Sequence, residues 1–138
     1  MTKPRLLVAG TAPAIETIRH AFAAEAECIA ASSIDEALHG FAQRPDMIVC
    51  NVRFDESRMM NLLEAAKSTP ATRDTPFLCL RLAPMPPSWK KGIEVAVLAL
   101  GAVAFLDFSA LEKSMGREAA EKELRRVVMS HLPPERQP

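Results

Sequence analysis

Short apolar runs, each too brief for a helix, alternate along this chain with segments patterned at the helical period. Leu6 to Ala9 is the first such run, Cys28 to Ala31 a weaker second, and Met47 to Val52 the third. Phe77 to Leu80 and Val103 to Leu106 complete the set. Continuous apolarity without alternation marks strands buried on both faces. Between them lie helices. Thr11 and Pro13 open the first, which carries Ile15, Ile18 and Phe22 on one face. Ser33 to Glu36 is a capping box, followed by Ala37, Leu38, Phe41 and Ala42 and ended by Pro45. Asp55 to Ser57 can cap a third helix bearing Met59, Met60, Leu63 and Ala66. The fourth is expected from Ser88 to Leu100, with Gly101 as the residue past its end. The fifth lies within Arg117 to Leu132, its stripe Ala120, Leu124, Val127 and Val128. The i, i+4 pairs Glu118 to Lys122 and Glu121 to Arg125 are expected to support it. Strict alternation of five strands with five helices predicts an α/β, three-layer, doubly wound (βα)5 fold with a five-stranded parallel sheet.

The chain has 138 residues, the size of one domain, expected over 1–132 with a frayed tail at 133–138. Lys plus Arg equals Asp plus Glu at 17 each, so no overall basic field draws in nucleic acid or an anionic membrane. Cys28, Cys50 and Cys79 have no metal-ligand spacing, and their odd number fits a reducing cytoplasm. Cys50 and Cys79 are expected on adjacent strands, as buried apolar thiols rather than a redox pair. His20, His39 and His131 fall on separate helices. The N-terminus has no signal-type apolar run, and the stretch from Ile93 to Leu106 is too short to span a bilayer. A cytoplasmic location follows as the expectation.

A doubly wound sheet binds its ligands at the carboxyl ends of its strands. Gly10, Thr11, Asn51, Arg81 and Phe108 stand there. Three stretches around these positions resemble the CheY-like receiver domains of bacterial response regulators. Residues 44–53 are similar to that family's third strand, "PDLVLLDVR". Residues 75–81 look like "TPVIMLTA", and residues 101–109 like "GADDYLVKPF". The resemblance runs from Pro4 to about Leu132 and implies a flavodoxin-like strand order of 2-1-3-4-5.

The family's chemistry is not implied. A receiver is phosphorylated on a carboxylate where this chain has Asn51, and an amide cannot form an acyl phosphate. Its Mg²⁺-binding acidic pair corresponds to Gly10 and Thr11, which offer no carboxylate to a hard cation. Its switch hydroxyl corresponds to Arg81 and its lysine to Phe108. Phe105 matches the aromatic that swings in the family's switch, so two conformations remain open without phosphate as trigger. The resemblance therefore implies a stand-alone pseudo-receiver of a two-component or phosphorelay type. It would have no cofactor, no Mg²⁺ and no enzymatic activity, and would act by contact with a protein partner or a second copy.

Arg81 has two readings, a built-in cation bonded to Asn51 or Asp55, or a guanidinium leaving for solvent. Arg53 and Arg81 with the Gly10–Thr11 amides give the alternative of a small-molecule, anion or nucleotide site. No GxGxxG or GxxxxGK[ST] accompanies it. Asp55 and Asp107 are the substitute acids through which ordinary phosphorylation would have to run. No Ser/His/Asp set or carboxylate pair points to an enzyme. On the fourth helix Trp89, Ile93, Ala96, Val97 and Leu100 form the stripe expected to face the sheet. Lys91, Val95, Leu98 and Ala99 lie on the other side. That second apolar face is expected either to be an interface, the family's surface of fourth helix, fifth strand and fifth helix, or to be covered by Ser109 to Gly116 through Leu111 and Met115.

Overall fold

The computed structural model describes residues 3–137. Five parallel strands, β1 (Arg5–Ala9), β2 (Glu27–Ala31), β3 (Met47–Asn51), β4 (Phe77–Arg81) and β5 (Ala104–Asp107), form one sheet. Its order is β2-β1-β3-β4-β5, the 2-1-3-4-5 arrangement expected. β1, β3 and β4 lie inside the sheet. β3 and β4 are buried along their whole length, which their unbroken apolar runs foretell.

Alternate side chains leave the sheet on opposite faces and seed two cores. Leu6, Val8, Leu78 and Leu80 pack with Ile18, Phe22, Phe108, Leu124 and Val128 on one side. Leu7, Ile48, Cys50, Phe77 and Cys79 pack with Leu62, Leu63 and Val97 on the other. Helices α1 (Ala12–Ala21) and α6 (Arg117–His131) cover the first face, joined by a short helix α5 (Phe108–Met115). Helices α2 (Ile34–Gly40), α3 (Met59–Ser68) and α4 (Pro87–Ala99) cover the second. Each fully buried Leu, Ile or Phe among them contributes roughly 1.5–3 kcal/mol. The Ser33 cap of α2 is made as the sequence predicts, its hydroxyl accepting from the Glu36 N–H at 3.2 Å. Gly101 takes φ 108° where α4 must turn into β5.

Four expectations are corrected. The segment after β5 is a helix and packs against α6 and β4, with Leu111 joining the first core, so it does not cover α4. Met115 stays exposed. The pairs Glu118–Lys122 and Glu121–Arg125 are not formed: Glu121 turns inward to His20 and Arg117, and Arg125 donates to the Ala21 carbonyl at 3.0 Å. Residues 133–137 are docked rather than frayed. Arg136 meets Asp46 at 3.1 Å and donates to the Lys3 carbonyl, while Gln137 donates to the Leu132 carbonyl. Pro138 lies outside the described residues. Two members of the stripe expected to face the sheet do not: Trp89 is 66% exposed and Leu100 36%.

Candidate functional site

The carboxyl ends of β1, β3 and β4 converge on a crevice of about 290 Å³ lined by Thr11, Asn51, Arg81 and Phe108, among others. Gly10 lies beneath Asn51. A Cβ added to Gly10 would meet Asn51 Oδ1 at 2.7 Å and Ala14 Cβ at 3.0 Å, so only glycine admits the asparagine there. The Thr11 N–H donates to Asn51 Oδ1 at 3.2 Å, tying the end of β3 to the N-terminus of α1. Asn51 is only 4% exposed. Its amide fills the floor of the crevice and presents no anion to it.

Arg81 ends β4 and is 8% exposed, so its guanidinium has not left for solvent. Nor does it reach Asn51 or Asp55. It donates through Nε to the Ala83 carbonyl at 2.9 Å, through Nη2 to the Met85 carbonyl at 3.1 Å, and through Nη1 to Asp107. Register explains the pairing: Arg81 and Asp107 are opposite residues on β4 and β5. Lys90, from α4, reaches the same carboxylate at 3.0 Å. The Ala110 N–H donates to Asp107 Oδ1 at 3.0 Å, which makes Asp107 the N-cap of α5. Burial opposes ionisation of Asp107, but the Ala110 N–H and the Lys90 and Arg81 cations outweigh it. They hold the carboxyl below the usual carboxylate range.

Phe108, at the lysine position, points into the first core and is nearly inaccessible. The Arg117 guanidinium lies over its ring, 5.5 Å from the centroid. Arg117 also donates to Glu112 at 2.7 Å, to Glu121 at 3.3 Å and to the Thr17 hydroxyl at 3.1 Å. Glu121 meets His20 Nδ1 at 2.9 Å. This network ties α1, α5 and α6 together along the rim of the crevice. Phe105 packs part-buried against the second core beside Cys79, its register partner.

The turn after β3 is left-handed. Asp55, Glu56 and Ser57 have φ of 42°, 56° and 66° with no glycine among them, a strained arrangement for L-residues. It swings Asp55 away from the crevice. The carboxylate accepts the Ile34 N–H at 2.8 Å and lies 3.7 Å from Arg58. Asp55 thus caps α2, not the third helix as the sequence reading has it; α3 starts after Arg58 with no side-chain cap.

On α4, Lys91, Val95, Leu98 and Ala99 are all exposed, Val95 at 60% and Leu98 at 46%. Leu100 and Val103 extend the apolar surface beside the edge strand β5. Cys50 and Cys79 are register partners and free thiols at zero exposure. Burial pushes the Cys79 thiol up to about 12 and also raises the Cys50 thiol well above its ordinary range.

The structure therefore unites four of the five strand-end positions around one crevice, with Gly10 as the fifth beneath it. Sequence reasoning missed Lys90, Glu112 and Arg117, and treated Asp107 only as a substitute acid. The signal for Asp107 was an acid closing an apolar strand, directly before a segment with helical spacing. Among the described residues no three of His, Cys, Asp and Glu gather where they could hold a metal ion, and no helix is long and apolar enough to cross a membrane.

No protein-family model matches the chain, and no curated protein matches it in sequence. Solved structures do. The chemotaxis response regulator CheY4 of Vibrio cholerae is 25% identical, with a TM-score of 0.66 over 91% of this chain and 99% of its own. The phosphorylated cyanobacterial phytochrome response regulator RcpA is 15% identical, with a TM-score of 0.73 over 96% and 99%. The Mn²⁺-bound response regulator Rcp1 is 16% identical, with a TM-score of 0.69 over 96% of each chain. The chain has the CheY-like receiver fold.

Proposed function

We propose that this chain is a pseudo-receiver: a receiver fold that serves signal transduction through protein contact, without a phosphorylated intermediate and without catalysis. One observation carries the reading. The Asn51 amide is seated on Gly10 and bonded to the Thr11 N–H, in the position from which a receiver offers its carboxylate. An amide oxygen holds no anionic electron pair with which to attack a phosphoryl group. The flanking Gly10 and Thr11 give Mg²⁺ no carboxylate ligand.

The substitute acids are engaged elsewhere. Asp55 caps α2, and Asp107 is held by Arg81, Lys90 and the Ala110 N–H. The Arg81–Asp107 pair spans β4 and β5 where a receiver's switch residues lie, which favours a single fixed conformation there.

The output is contact through α4 and β5. Val95, Leu98 and Ala99, with Lys91 beside them, form an apolar surface of the kind that marks protein interfaces. The partner is a protein, or a second copy in an isologous dimer, in the cytoplasm. A balanced net charge favours neither nucleic acid nor an anionic membrane.

The test combines intact mass with sedimentation. After incubation with acetyl phosphate and Mg²⁺ the mass stays unchanged, and Leu98→Glu abolishes self-association or partner binding without lowering stability. A phosphoryl adduct refutes the reading. A monomer at all concentrations, with partner binding indifferent to Leu98→Glu, refutes the interface.

A further inference from the structure

A second depression adjoins the strand-end crevice. It is an open groove of about 620 Å³ between the N-terminal turns of α3 and α4. Val52, Met59, Met60, Met85, Trp89 and Ile93 make its apolar lining. Three unbranched thioether chains make such a surface deformable, able to repack around different side chains. Trp89 offers a large ring that the fold itself does not bury.

The charge along this groove is one-sided. Its lining has one ionisable residue, Arg53. Arg53 is exposed and makes no hydrogen bond or ion pair among the described residues. The nearby acids of the left-handed turn face Arg58 rather than Arg53: Asp55 accepts the Ile34 N–H and lies 3.7 Å from Arg58, and Glu56 lies 3.8 Å from it. Arg53, Val52 and Met85 also line the crevice, so groove and crevice meet at the guanidinium. On the crevice side Asn51 uses Oδ1 on Thr11, while its Nδ2 donates to no group among the described residues. Two cations, Arg81 and Lys90, share the single carboxylate of Asp107 close by. A ligand that matches this line has an apolar body and one carboxylate at its end.

We infer that the groove between α3 and α4 docks a partner peptide that places bulky apolar side chains against Trp89 and Met60 and an adjacent Asp or Glu on Arg53, within reach of Asn51 Nδ2. The inference rests on the docking reading above and names its chemistry and a second surface, distinct from the outer face of α4. The carboxylate comes from the partner, in trans, beside the end of β3, where this chain has Asn51; the carboxylate that lines the crevice, Glu112, is held by Arg117 at 2.7 Å. Arg53 gives a bidentate fork for it, and Trp89 and the methionines supply the apolar anchor pocket typical of an interface hot spot.

A randomised peptide library selected against the full chain tests this. The selected peptides are expected to carry Asp or Glu next to aromatic or large aliphatic residues. Binding of the best of them, read by fluorescence anisotropy, weakens about tenfold or more in Arg53→Glu. Arg53→Gln falls between. Trp89 is the single tryptophan, so its emission shifts to the blue as peptide covers it. Thermal melts confirm that the exposed Arg53 and Trp89 sites tolerate Arg53→Glu and Trp89→Ala. Four results overturn the inference: no acidic consensus, binding indifferent to Arg53→Glu, an unmoved Trp89 spectrum, or self-association that Trp89→Ala abolishes, which assigns the groove to a second copy. None of these touches the phosphorylation test, whose failure is read separately as added mass.

Discussion

Neutralising Asp107 while keeping its shape isolates the ion cluster that bridges β4, α4 and α5. Asp107→Asn retains an N-cap for α5, because asparagine caps about as well as aspartate. What it removes is the charge between Arg81 and Lys90. Arg81 is buried and keeps only the Ala83 and Met85 carbonyls. Lys90 is partly exposed and can turn to water. Breaking a buried pair from one side costs about 3–5 kcal/mol, and the remaining carbonyl partners reduce this to about 2–4 kcal/mol. For a chain of this length that lowers Tm by about 10 °C. Arg81→Met together with Asp107→Asn recovers part of the loss, with a coupling energy of about 1–3 kcal/mol. The effect depends on pH in a fixed direction. The Asp107 carboxyl ionises below its ordinary range when folded. Its contribution is therefore complete above the unfolded pKa of about 3.9 and disappears as pH falls through the folded value. Urea titrations followed by far-ultraviolet circular dichroism should show the full gap near neutral pH and a closing gap below about pH 4. A variant within about 0.5 kcal/mol of wild type at neutral pH, or a gap that is the same in acid, would refute the assignment.

Gly10→Ala drives a methyl into the Asn51 amide and should cost about 1–3 kcal/mol; Asn51→Ala in the same chain should return part of it, measured by chemical denaturation. Glu56→Gly relieves an exposed left-handed residue whose one contact is a loose pair with Arg58 at 3.8 Å, and should leave stability unchanged or raise it by up to about 1 kcal/mol. A clear loss would mean that the turn is not left-handed in solution. Asp55→Ala removes the tertiary cap on Ile34 and should cost about 1 kcal/mol, with faster amide exchange confined to the first turn of α2.

The sheet is legible from sequence because each strand is a short apolar run between polar turns. In β3 and β4 every residue is buried, so nothing breaks the pattern. The floor of the crevice is equally legible, since Gly10, Thr11 and Asn51 each sit at or next to a strand end. Helix α5 escaped notice although Phe108, Leu111 and Met115 recur at helical spacing behind a capping Asp107. Eight residues make too short a stripe to stand out, so the segment is expected only as an alternative cover for α4. The partner of Arg81 was hidden for another reason: Asp107 lies 26 residues away, and only the β4–β5 register brings it opposite. The left-handed turn at Asp55 has no glycine to announce it. Trp89 matches the helical wheel yet opens onto the groove, because periodicity gives the direction of a side chain and not whether a strand lies beneath it.

The central claim is that the end of β3 offers no anion to a phosphoryl group or to Mg²⁺. Amide NMR of the labelled chain, titrated with Mg²⁺ and beryllofluoride, reads that position directly. The signals of Gly10, Thr11 and Asn51 should stay where they are throughout. Saturable shifts at these three residues, with β5 responding at Phe105, would mean that a phosphoryl mimic binds at residue 51 and would contradict the account.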